Sequence, residues 1–173
     1  MFNEMMACSG GSGGDVSNMT ALIPNMTSDT APSGETLYST FYSGWNPYYA
    51  FGSAFKNYAV WIPALNNTTG QYIGYKFPTA QTVEFATLAI IRQADTIDVK
   101  VILQGSNDST WASPTDLSDE ITIDTSIGEV IIPVTKNKGA YQYYRFFSST
   151  GFECRSGANS YIGVKSAQLY GVS

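Results

Sequence analysis

No histidine occurs among the 173 residues. That absence removes Ser-His-Asp and Cys-His nucleophile arrangements and the commonest zinc ligand. Cysteine is almost missing too: Cys8 and Cys154 are the whole complement, which is neither a disulfide framework nor a metal cluster. Free thiols are the default reading. A Cys8 to Cys154 bridge, tying the N-terminus to the rest of the chain, is the alternative, and spacing does not choose between them.

Charge is scarce, at 13% of residues, and the nine Lys and Arg are scattered against fourteen Asp and Glu for a net charge of −5. Phosphate neutralisation needs a positive stripe, so nucleic acid is not an expected partner. No window approaches the roughly 20 apolar residues of a membrane span, and no basic amphipathic segment suggests a surface helix, so no membrane partner is expected either. The opening MFNEMMACSGGSGGD lacks the cationic start and the apolar run of about 7 or more residues that mark a signal peptide. Export by the general pathway is therefore not expected, and the Asn-x-Ser/Thr triplets at Asn18, Asn25, Asn66, Asn67 and Asn107 read as compositional.

Aromatic residues are what the chain has in quantity: twelve Tyr, nine Phe and three Trp. The length suits one domain with a substantial core plus a short arm. Residues 1–25 read as that arm, flexible through SGGSGGD, although Met19, Leu22, Ile23 and Met26 imply that its later part lies on its own domain or on a neighbour. From residue 26 to 173 the pattern is a domain of short strands: TLYST, QYIGYKF, TVEFATLAII, TIDVKVILQ, EITID, EVIIPV, YQYYRFF and YIGVKSAQLYG. Ile97, Val99, Val101 and Leu103 alternate with Asp98, Lys100 and Gln104, the period of a strand with one wet face. Gly, Pro, Asn, Asp and Ser clusters separate the strands, and no sustained helical stripe occurs. The fold class is all-β, a sandwich or barrel.

The segment VILQGSNDSTW, residues 101–111, ends a strand in a tight polar turn, because Gly105 tolerates positive φ and Asn107 and Asp108 bond to the backbone. Trp111 can then fold back over the sheet. The same segment resembles the "qGSnDg..W" element of the discoidin, or coagulation factor 5/8 type C, superfamily, the galactose-binding-like jelly roll shared by family 32 type carbohydrate-binding modules. In the order of that family, MTSDTAPSGE, YYAFGSAFKNYAVW, QYIGYKF, YQYYRFF and VKSAQLYG resemble further elements, so the likeness spans roughly residues 26–171. It implies a jelly-roll β-sandwich that binds glycans through loops at one end. Two departures bear on the structural calcium of relatives: Gly52 and Ser166 stand where carboxylates are common, and calcium needs several oxygen ligands with net negative charge. No metal or other cofactor is therefore expected, with Asn57 and the carbonyls of residues 51–57 as the alternative ligand set.

Asp116, Asp119, Glu120 and Asp124 are dense, but solvated carboxylates are ordinary in a polar connection, and no pKa-shifting partner is legible there. The chain is not expected to be an enzyme. For binding, STFYSGWNPYYAF places Tyr42 and Trp45 among small polar residues in a loop, where rings stack on sugar C–H faces or else pack. Phe51 reads as core. The loop SSTGFECRSGANS offers Phe152 and Arg155 as a stacking platform with a hydroxyl donor, plus Asn159; Arg92 and Asn66 complete the candidate ligand-binding set. Arg145 reads as a structural ion-pair residue. Three settings follow: a carbohydrate-binding module on a phage virion, docked to other virion proteins through the arm and present in many copies or as a homo-oligomer; a structural virion brick; or a module of a secreted bacterial adhesin or glycosidase.

Overall fold

The computed structural model describes residues 18–52, 60–67, 69–93, 99–123, 129–155 and 160–172, with the backbone alone at 92 and 93. Eleven strands run β1 (Met19–Ala21), β2 (Glu35–Tyr38), β3 (Thr69–Thr82), β4 (Phe85–Gln93), β5 (Val99–Ser106), β6 (Thr115–Asp116), β7 (Ile121–Ile123), β8 (Val130–Pro133), β9 (Ala140–Thr150), β10 (Glu153–Cys154) and β11 (Tyr161–Val172). All eight strands expected from alternation are present. The three extra ones, β1, β6 and β10, have two or three residues each, too short for a period to show. A 3-10 segment, Pro47–Phe51, lies between β2 and β3; Pro47 fits its first turn, where an amide donor has no partner to lose.

The strands form two antiparallel sheets. One has the order β1-β11-β4-β8, with β10 also on β11; the other has β2-β3-β9-β5-β6, with β7 also on β5. Inner faces supply the core in alternation: Ile73, Tyr75 and Phe77 from β3, Tyr144 and Phe146 from β9, Val99, Val101 and Leu103 from β5. On β11 the inward set is Ile162 and Val164, then Ala167 and Leu169, a break of parity. The register against β4 shifts between Val164 and Ser166, so a bulge at Lys165 absorbs the extra residue and keeps both halves facing inward. The jelly-roll sandwich expected from the sequence is the fold observed.

Residues 19–25, which composition assigns to the arm, run along this sandwich. Met19 pairs with Val172, Ile23 donates its amide to Gln168 Oε1 at 3.0 Å, and Ile23 and Met26 are buried. Of the two surfaces open to Leu22, Ile23 and Met26, they occupy the domain's own. The Gly/Ser tract lies outside the described residues.

Candidate functional site

Four segments converge at one end of the sandwich: the loop 39–46, the segment 60–67, the end of β4, and β10 with the start of β11. Hydrogen bonds fix the first to the second. Trp61 Nε1 donates to the Thr40 carbonyl (2.9 Å), Ala64 N donates to Thr40 Oγ1 (3.1 Å), and Tyr42 N donates to the Ile62 carbonyl (2.9 Å). Ser39 and Thr40 hydroxyls both donate to Gln71 Oε1, at 2.6 and 2.8 Å. Trp61 in turn exchanges both backbone hydrogen bonds with Val164 of β11. The loop is thereby pinned to both sheets, which limits the ordering cost of binding anything on it.

Tyr42 and Trp45 close a turn, Trp45 N donating to the Tyr42 carbonyl at 2.9 Å, with Gly44 at a φ of +87° that a side chain would strain. Both rings are half-buried against Val60, Ile62, Cys154 and Tyr161. Trp45 meets Tyr161 with ring centroids 6.0 Å apart, and burial pushes the Tyr161 hydroxyl above the usual tyrosine range. Phe41 and Leu65 are exposed beside them. Asn66 is exposed in the left-handed region (φ 66°), and its amide donates to the Cys154 carbonyl at 2.8 Å. The next residue, Arg155, is exposed and pairs with the buried Glu153, Nε to Oε1 at 3.0 Å. Arg92 is the Cα partner of Ile162, whose other neighbour is Glu153. The structure thus brings Tyr42, Trp45, Asn66, Arg155 and the Arg92 backbone to one end. Asn159 lies outside the described residues.

Phe152 does not join them. It is 1% exposed and meets Trp61 edge-on, centroids 5.6 Å apart at 85°. Gly151, at a φ of +123° and packed on Val99, turns the chain inward just before β10 pairs with β11, so the aromatic expected as a platform is core. Tyr161, itself buried, supports Trp45 from within; as the first residue of a strand it carried no loop signal. Phe51 is core, as read. Of the carboxylates weighed for catalysis, Asp119 pairs with Lys136, Glu120 with Lys100, and Asp116 accepts a hydrogen bond from Gln104, while Asp124 lies outside the described residues. Most of the 51–57 loop also lies outside them; nearby, Asp29 Oδ1 is engaged by Thr36 Oγ1 and Tyr48 N. Among the described residues no cluster of three His, Cys, Asp or Glu gathers to hold a metal, and no helix is long and apolar enough to cross a membrane.

Arg145 departs from its expected ion pair. It is 8% exposed and makes no salt bridge among the described residues; instead Nε donates to Gln104 Oε1 at 2.8 Å and the guanidinium lies among Trp111, Tyr72 and Phe147.

No family model matches the chain, and no curated protein does. Solved structures do. A point variant of chitosan-binding module 1 from the chitosanase/glucanase of Paenibacillus sp. IK-5 superposes with a TM-score of 0.60 at 20% identity, covering 83% of this chain and 98% of that one. The family 32 carbohydrate-binding module of C. perfringens NanJ, in complex with galactose, gives 0.59 at 9%, covering 88% and 99%. The family 32 module of AlyQ, in complex with 4,5-unsaturated mannuronic acid, gives 0.57 at 17%, covering 84% and 98%. At these identities the likeness is one of fold.

Proposed function

We propose that the chain is a non-catalytic carbohydrate-binding module whose saccharide site is the loop end of the sandwich. The carrying observation is the half-buried pair Tyr42 and Trp45, backed by the buried Tyr161 ring and rimmed by Asn66 and Arg155. Sugar rings offer C–H faces to such aromatics, while amide and guanidinium groups take the hydroxyls. The neighbours of the same fold that hold galactose and unsaturated mannuronic acid support this reading.

A single shallow site recovers little beyond the cost of association, so many copies on one particle would supply the avidity. A virion surface, with the N-terminal arm docking to other virion proteins and the domain facing host or mucus glycans, is the setting we propose. The AlyQ neighbour with an alginate lyase domain favours a second setting, a module within a longer secreted enzyme. The test of the binding reading is a glycan array probed with the full chain, displayed multivalently, beside Trp45→Ala and Tyr42→Ala variants with native melting profiles. Retention of a few related glycans by the parent and their loss in either variant supports it. Binding to nothing, or equal binding by all three proteins, refutes it. Deletion of residues 1–17 separately tests the particle setting: incorporation into virions should cease while glycan binding persists.

A further inference from the structure

The outer face of the six-stranded sheet carries a second arrangement of rings and donors. Strand register sets Leu37, Gly74, Arg145, Gln104 and Asp116 side by side across five strands. Tyr72, Phe147 and Ile102 form the next row on one side, and Lys76, Tyr143 and Ser106 on the other. A methyl group at Gly74 would lie 2.9 Å from Arg145 Cα and Cβ, so glycine is what lets the Arg145 strand approach. The loop after β5 then brings Trp111 over this surface, its ring 4.1 Å from Arg145 Cζ and 6.3 and 6.4 Å from the Tyr72 and Tyr143 rings.

Arg145 is more than nine-tenths buried, yet of its five N–H groups only Nε has a hydrogen-bond acceptor among the described residues. Burial pushes its pKa below the usual guanidinium value, with Tyr72 and Asp116 pulling the other way. The terminal guanidinium nitrogens are not among the enclosed, unpartnered polar atoms, so they keep an opening to solvent while aromatic faces cover the rest of the group. A guanidinium at stacking distance from rings keeps its in-plane donors for an acceptor, and their fork matches a carboxylate best. Half-buried Tyr72, Tyr143 and Trp111 beside it suit the C–H face of a pyranose.

We propose that this sheet face is a second saccharide site, selective for sugars bearing a carboxylate, with Arg145 as the carboxylate receptor and Trp111 and Tyr72 as ring contacts. It rests on the saccharide reading and extends it to the outer face of the six-stranded sheet, built from residues other than the loop-end set, and it fails independently of them.

The experiment titrates the full chain, labelled with nitrogen-15, with galacturonic acid tetrasaccharide and with its carboxyl-reduced, neutral counterpart. The acidic sugar should move the Trp111 indole signal, and Trp111→Ala and Arg145→Lys should each weaken its affinity by about tenfold or more, the scale of a lost charge-assisted hydrogen bond. An unmoved Trp111 signal overturns the proposal without recourse to any variant. So does equal affinity for the neutral sugar, or loss of binding in Trp45→Ala with retention in Trp111→Ala, which returns the acidic sugar to the loop end.

Discussion

The Arg145 guanidinium carbon lies 4.1 Å from the centre of the Trp111 ring, and Trp111 adopts a φ of +56° in the turn that puts it there. A left-handed conformation costs a non-glycine residue on the order of 1 kcal/mol, so the turn must hold it. Asp108 does this: it accepts from Thr110 N at 2.9 Å and Thr110 Oγ1 at 2.6 Å, while its carbonyl accepts from Trp111 N. Asn107 ties the turn to β9 through Gln142 N and the Ala140 carbonyl.

Those Thr110 hydrogen bonds hold the Asp108 carboxyl below its ordinary value of 3.8. A depressed carboxylate pKa contributes stability that is present above the unfolded value and is lost as pH falls through the folded one. The Trp111 indole signal should therefore keep its position from neutral pH down to about pH 4 and shift below it, and Asp108→Ala should shift it at neutral pH. A signal unaffected by either change contradicts the role given to Asp108.

Phe152 is enclosed by Trp61 and the surrounding core, so Phe152→Ala should destabilise the domain by about 3–5 kcal/mol in urea unfolding, the usual cost of removing a buried aromatic ring. Trp45→Ala, on a half-buried ring, should cost clearly less. Equal costs would mean that Phe152 is not the core residue described.

Tyr144 is 1% exposed, its hydroxyl donates to the Gln81 carbonyl at 2.6 Å, and burial pushes its pKa up to about 12. Because the folded state keeps this proton while the unfolded chain loses it near pH 10, stability is fully present below pH 10 and falls between pH 10 and about 12. Denaturant midpoints measured across that window should decline, and Tyr144→Phe should flatten the decline at the cost of one hydrogen bond. An unchanged slope in Tyr144→Phe assigns the loss to other tyrosines.

The sandwich was legible because its long strands alternate, and because the turn at Gly105 to Asp108 punctuates them. The bulge at Lys165 was legible only afterwards: a parity break reads as noise until the partner strand shows both halves facing inward. At the loop end, Tyr42, Trp45, Asn66 and Arg155 could be named because rings and polar groups among glycines and serines stand out. Phe152 looked identical by that criterion. What separates it is the φ at Gly151 and the pairing of β10 with β11, a contact between residues whose nearness along the chain says nothing of direction. Arg145 was misread for a related cause: alternation gives its face, but the rings around it come from β3, β9 and the Trp111 loop.

Three tryptophans stand at three informative places: Trp45 at the loop end, Trp61 in the core and Trp111 over the outer sheet. The most direct measurement is therefore a titration of the nitrogen-15 labelled full chain with the best neutral glycan from the array, following the three indole N–H signals. The Trp45 signal should move in a saturable way while those of Trp61 and Trp111 stay in place. A Trp45 signal that stays fixed while the glycan demonstrably binds contradicts the loop-end site.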